Sequence, residues 1–160
     1  NQDISSWDVS NDTDMTSMFE GSSFNQDIGN WDVSSVTDMN GMFFSSPFNQ
    51  DISSWDVSNV TDMKSMFENA TSFNQPIGVW DVSNVTNMDA MFFYATAFNQ
   101  IIDNWDVSKV TNMGYMFNSA TSFNQDISSW SVDGVTDCTS FSENAPLTEA
   151  NTPNFTNCTF

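Results

Sequence analysis

The chain has 160 residues, 39% hydrophobic and 14% aromatic, which suffices for one domain with a packed core and is too aromatic for a disordered acidic tail. Twenty-one acidic residues face two lysines, with no arginine and no histidine, giving a formal net charge of −19. That balance excludes nucleic acid and anionic membrane as partners and suits divalent cations or a basic partner, and no apolar run reaches the roughly 20 residues that span a bilayer.

In chain order, the first feature is repetition. Phe-Asn-Gln recurs at Phe24, Phe48, Phe73, Phe98 and Phe123, in steps of 24, 25, 25 and 25. Trp7, Trp31, Trp55, Trp80, Trp105 and Trp130 keep the same beat. The unit reads F-N-Q-D-I-S-S-W-D-V-S-N-V-T-D-M-x-x-M-F-x-x-A-x-x. The first two turns of the array are one residue short between Met-Phe and the next Phe, which marks a loop that tolerates length change. The chain opens in mid-repeat at Asn1-Gln2-Asp3-Ile4 with no signal peptide, so any targeting segment is expected to precede it.

Within a unit, Trp55-Asp56-Val57 alternates apolar and polar, which predicts a short strand with Trp and Val on one side. Val60, Met63, Met66 and Phe67 then fall at helical spacing, with Thr61 at an N-cap position and Asp62 in the first turn. About two turns of helix, α or 3₁₀, are expected. A strand and a short helix cannot bury their own apolar face, but stacked units make a continuous core. The expected fold is therefore an α/β solenoid in which each repeat adds one short parallel strand about 4.8 Å from the last. Residues 1–145 form about six repeats, the first incomplete, and residues 146–160 leave the pattern as a C-terminal cap.

The pattern Ile52-x-x-Trp55-x-Val57 followed by Val60-Thr61-x-Met63-x-x-Met66-Phe67 resembles the BspA-like leucine-rich-repeat surface proteins, in particular their 25-residue W-D-V-S-x-V-T-D-M-x-x-M-F branch, a domain of unknown function. The resemblance covers nearly the whole chain. It implies a right-handed leucine-rich-repeat-like coil on a secreted or surface-anchored protein, often tied to adhesion. The family has no shared catalytic site, so it supplies no active-site residues.

The end of the array departs from the repeat. Cys138 stands where a Met stood, Phe141 where the later Met stood and Ser142 where the Phe stood. Two cysteines confined to one end, with no histidine, fall short of a zinc set and predict a Cys138–Cys158 disulfide, hence an oxidising compartment. Two free thiols are the alternative.

Several columns of side chains could carry function. Asp8, Asp32, Asp56, Asp81 and Asp106 alternate with Trp and Val, so they are expected on the solvent side. Stacked carboxylates about 5 Å apart repel by about 1 kcal/mol per neighbour in bulk water and more at a protein surface, so something compensates. One reading is hydrogen bonding to Ser10, Ser34, Ser58, Ser83 and Ser108 or to backbone N–H groups. The other is Ca²⁺ held between repeats, by Asp32, Asp56 and Asp81, although no D-x-D-x-D-G loop is present. The Trp column is expected in the core rather than outside as a sugar platform. Asn25, Asn49, Asn74, Asn99 and Asn124, with the Gln after each, are expected to form turn ladders. Asn11, Asn59, Asn69, Asn84, Asn154 and Asn157 lie in Asn-x-Ser/Thr sequons, which become glycosylation sites in a eukaryotic secretory route.

Catalysis is not expected. There is no histidine and no arginine, and a uniform carboxylate ladder gives no two groups the distinct environments that acid–base work needs. The sequence points to an extracellular or cell-surface module for adhesion or recognition of protein or glycan. The alternative is a stalk or a filament subunit that binds copies of itself end to end.

Overall fold

Apolar residues three apart in sequence close a succession of tight turns. In the third repeat, Trp55 N–H donates to Ile52 C=O at 3.1 Å, Val60 to Val57 at 2.9 Å, Met66 to Met63 at 3.2 Å and Ala70 to Phe67 at 3.0 Å. Those eight residues are all buried. Between them Ser54, Asn59, Lys64 and Asn69 lie outside. This geometry comes from a computed structural model that describes residues 2–159.

The i, i+3 spacing that predicted a helix over Val60 to Phe67 is therefore turn spacing. A helix does not propagate there because Ser65 (φ 52°) and Asn69 (φ 56°) are left-handed and break every run after one turn. Among the described residues the only helical element is a 3₁₀ helix, Ile77–Val79. It follows Pro76, which stands where four other repeats carry Asp3, Asp27, Asp51 and Asp126.

The backbone groups not used inside turns go to the neighbouring repeat. Met63 N–H donates to Asn87 C=O at 3.0 Å, Ser65 to Asp89 at 2.8 Å, Phe67 to Met91 at 2.9 Å and Asn69 to Phe93 at 2.6 Å. Residues 66, 68 and 70 instead stay within their own turns. Alternate residues thus serve the two demands, which a buried backbone has to meet.

Parallel pairing is one residue wide and runs Asp14–Asp38–Asp62–Asn87–Asn112–Asp137, joining six successive repeats. It falls just after the Thr column, not on Trp-Asp-Val, where the strand was expected. Around Trp55 to Val60 the turn Val57–Val60 and the contact of Ser58 N–H with Asp56 Oδ1 take the local donors. The threonines do not cap helices. Thr61 N–H and Oγ1 both donate to Thr37 C=O of the preceding repeat, at 2.8 and 3.2 Å, and the same bond pair recurs along the column.

Between the turns the core is built of aromatic and aliphatic columns. Phe43 and Phe48, Phe67 and Phe73, and Phe92 and Phe98 stack within repeats at 4.1, 3.8 and 4.0 Å. Phe43, Phe67, Phe92 and Phe117 stack between repeats at 5.6, 5.7 and 5.5 Å. Fully burying one such side chain is worth about 1.5–3 kcal/mol. The Trp column packs as expected: Trp31, Trp55, Trp80, Trp105 and Trp130 are buried, whereas Trp7 is 54% exposed. Burial of an indole requires a partner for its N–H. Trp55 Nε1 donates to Ile28 C=O at 3.1 Å and Trp80 Nε1 to Ile52 C=O at 3.1 Å. Each of these carbonyls also accepts the backbone N–H of its own repeat's Trp.

The one-residue length difference has a local cause. In the short repeats Phe24 and Phe48 N–H donate to the Oγ of Ser22 and Ser46. In the longer ones Phe73 and Phe98 N–H donate to the carbonyls of Ala70 and Ala95, three residues back.

Cys138 and Cys158 form a disulfide, with Cα atoms 5.9 Å apart. The segment after the repeats lies along the last of them. Ile127 N–H donates to Asn151 C=O at 3.0 Å, Asn157 Nδ2 to Asp133 C=O at 2.6 Å, and the Phe155 ring meets Phe141 edge-on at 4.9 Å. Asn1 and Phe160, the outer bounds of the two predicted segments, lie outside the described residues.

Candidate functional site

Asp8, Asp32, Asp56, Asp81 and Asp106 are all exposed, whereas the Val that follows each is buried, as is the Trp that precedes all but Asp8. Each folds back on the serine two residues on. Ser10, Ser34 and Ser58 donate both N–H (3.1–3.2 Å) and Oγ–H (2.6 Å) to Oδ1 of Asp8, Asp32 and Asp56. Ser83 and Ser108 donate N–H to Asp81 and Asp106 at 3.0 Å. In every case Oδ1 is the acceptor. The strip therefore presents one exposed carboxylate per repeat.

The serine hydroxyl first, and its N–H second, hold the carboxyls of Asp8, Asp32, Asp81 and Asp106 below the ordinary aspartate range. Repulsion from Asp8 pushes weakly the other way on Asp32, as Asp106 does on Asp81. Local hydrogen bonding thus outweighs the stacking of like charges at these four, which stay ionised at neutral pH.

The Ca²⁺ expectation for Asp32, Asp56 and Asp81 finds no cage. Among the described residues no group of three or more His, Cys, Asp or Glu side chains is placed to hold a metal ion. The carboxylates turn along the chain onto their own serines, instead of converging between repeats.

Two further columns of the same turn were not singled out from the sequence. Asp14, Asp38, Asp62, Asn87, Asn112 and Asp137 each accept, through Oδ1, the N–H two residues on. Asp3, Asp27, Asp51 and Asp126 do the same. The signal was present: Asp-x-Ser occurs twice in the unit and a third Asp or Asn follows the Thr, and such side chains close turns on their own backbone. Where Pro76 and Ile101 interrupt the last of these columns, Val79 and Ile101 are left 73% and 66% exposed.

The Asn-Gln ladder forms. Asn74 N–H donates to Asn49 Oδ1 at 3.0 Å and Gln75 Nε2 to the same oxygen at 2.8 Å, a pattern repeated at Asn99 and Asn124. Asn151 Nδ2 extends it into the tail through Asn124 Oδ1, at 3.2 Å. The six sequon asparagines are all exposed. Four of their amides already bridge: Asn59 to Ser34 C=O, Asn69 to Ser45 Oγ, Asn84 to Ser58 C=O and Asn157 to Asp133 C=O.

A second surface, not foreseen, follows the Met-Phe pairs. Gly21, Ser45, Asn69, Tyr94, Ser119 and Asn144 form one left-handed column, and Ser17, Gly41, Ser65, Ala90, Tyr115 and Ser140 another. Glycine, asparagine and other small residues dominate both, as positive φ demands. The only two tyrosines of the chain stand in these columns, 48% and 42% exposed. Phe93 meets both edge-on, at 4.7 Å for Tyr94 and 6.0 Å for Tyr115. Beside them Lys64 Nζ pairs with Asp89 at 2.9 Å. That bond, its charge and the further carboxylates of Asp62 and Glu68 hold the lysine above its ordinary range. Among the described residues no helix is long and apolar enough to cross a membrane.

Comparison with known proteins places the chain. The family described as Mycoplasma protein of unknown function, DUF285, matches it twice, over residues 1–82 and 75–157, and the chain belongs to that family. No curated protein and no solved structure matches it.

Proposed function

We propose that this DUF285 member is a leucine-rich-repeat-like solenoid of the BspA type, exposed outside the cytoplasm, that recognises a protein or glycan through the Asp/Ser strip. The single observation that carries the reading is the strip itself. Five repeats present the same exposed carboxylate, locked by the same serine, at one-repeat spacing. Rigid, repeated and charged side chains on a preorganised scaffold suit an extended partner, because little side-chain entropy remains to be lost on binding. The single-residue parallel bridges between equivalent positions support the solenoid. The disulfide supports an oxidising compartment.

The activity proposed is binding, not catalysis. The strip carboxylates share one environment, so none is set apart as acid or base.

Changing Asp32, Asp56 and Asp81 together to serine tests this reading. The scaffold bonds of those aspartates lie within their own turns, so the melting profile is expected to keep its shape. Binding to a surface-protein or glycan array, measured side by side with the parent chain, is expected to fall at least tenfold. Equal binding by both proteins would overturn the assignment to this strip.

A further inference from the structure

We propose that the column Glu20–Phe44–Glu68–Phe93, with Tyr94 and Tyr115 beside Phe93, docks arginine and lysine side chains of a basic, extended partner segment. The column is fixed by the backbone. Gly21, Ser45 and Asn69 N–H donate to the carbonyls of Phe44, Glu68 and Phe93 at 2.8, 2.8 and 2.6 Å. Successive repeats therefore place Glu, Phe, Glu and Phe at equivalent backbone positions, one repeat apart. This surface lies apart from the Asp/Ser strip, and each can fail without the other.

Three observations point to a cationic ligand. The alternation itself offers charge and π-face together, the two features that hold a guanidinium or ammonium group. The tyrosines occupy left-handed positions where other repeats use Ser, Gly, Asn or Ala. A bulky residue there is held against its backbone preference, and such outliers gather at binding sites. The chain also carries its own example of the ligand: Lys64 lies in the depression of about 320 Å³ lined by Glu68, Asp89, Phe93 and Tyr115. Its ammonium pairs with Asp89 and feels Asp62 and Glu68 as well, so the spot stays net negative with one cation already present. The net charge of −19 draws a basic segment towards the molecule, and the rings select where it settles.

The test is calorimetric titration with an oligo-arginine peptide, and with its uncharged oligo-citrulline counterpart, at physiological salt. The parent chain is expected to bind the first and not the second. Tyr94→Asn with Tyr115→Ser copies residues that other repeats carry at the same positions, Asn69 and Ser65. It is expected to weaken oligo-arginine binding by about tenfold without lowering the melting temperature. Phe93→Glu likewise copies Glu68 and adds a negative charge. Simple charge attraction predicts tighter binding for it; the ring-and-carboxylate site predicts weaker binding, by about threefold or more. Failure of the parent chain to bind, binding by the tyrosine variant within twofold of parent, or tighter binding by Phe93→Glu would each overturn the proposal. A loss of binding confined to the Asp32, Asp56 and Asp81 serine variant would overturn it too, in favour of the strip.

Discussion

Replacing Phe67 by alanine is expected to cost about 3–5 kcal/mol of unfolding free energy, read from the urea midpoint at constant slope. Phe67 is fully buried. Its ring stacks on Phe73 at 3.8 Å within the repeat, and on Phe43 and Phe92 at 5.6 and 5.7 Å in the flanking repeats. Truncation removes the transfer energy of the ring and leaves a cavity. Its walls are held by hydrogen bonds between repeats and cannot close in. In repeat arrays stability resides largely in the contacts between neighbours, so a hole at a central interface weakens both sides at once. Val79→Ala is the matched control. That side chain is 73% exposed, and its loss is expected to stay within about 0.5 kcal/mol. A cost below about 1 kcal/mol for Phe67→Ala would mean that the phenylalanine column is not the interior of the array.

The second large effect is expected at the other end of the core. The double variant Cys138→Ala, Cys158→Ala should lose about 3 kcal/mol, the value for a bridge that closes a loop of about this length. The sequence separation is 20, and Cys138 is itself buried beneath the tail. Other anchors of that tail among the described residues include the Phe155 edge on Phe141, Leu147 against the core, the Ile127–Asn151 backbone bond and the amides of Asn151 on Asn124 and Asn157 on Asp133, all near the surface or at single contacts. Limited proteolysis should therefore cut the double variant between residues 146 and 157 while the repeats persist. A thermal midpoint and cleavage pattern equal to those of the parent chain would show that the bridge is incidental to the fold.

Much of this organisation was legible in the sequence, and the parts that were not have a common physical cause. The Trp, Ile, Val, Met and Phe columns were readable as core because identical residues at one-repeat spacing have to stack. The cysteine pair was readable because both residues fall where the repeat fails. The helix was misread because i, i+3 apolar spacing serves consecutive turns as well as it serves a helical face. The left-handed residues that decide between them, Ser65 and Asn69, carry no strong signal of their own, since serine at that backbone position is uncommon. The strand was misplaced for a related reason. Trp55-Asp56-Val57 alternates like a strand, but the Asp-x-Ser turn that follows takes the donors a ladder would need. Two Asp-x-Ser steps and a third Asp or Asn per unit are the sequence signature of these turns.

At the Asp/Ser strip, exposure and the serine partners were both legible in the alternation with Trp and Val and in the serine two residues on. Which carboxylate oxygen accepts is a matter of side-chain direction that composition does not encode. The tyrosine surface escaped notice because it lies in the positions that vary between repeats, outside the repeating pattern that drew the eye.

The central claim is that successive repeats stack so that each tryptophan from Trp31 onward closes its indole N–H on the isoleucine carbonyl of the repeat before it. Hydrogen exchange of the six indole N–H groups, followed by NMR, tests this most directly. The bonds run from Trp31 to Ile4, Trp55 to Ile28, Trp80 to Ile52, Trp105 to Ile77 and Trp130 to Ile102, at 3.1–3.3 Å. Five slowly exchanging indoles and one fast one, from the half-exposed Trp7, are predicted. Six indoles exchanging alike, at the rate of a free indole in water, would contradict the stacked-repeat account.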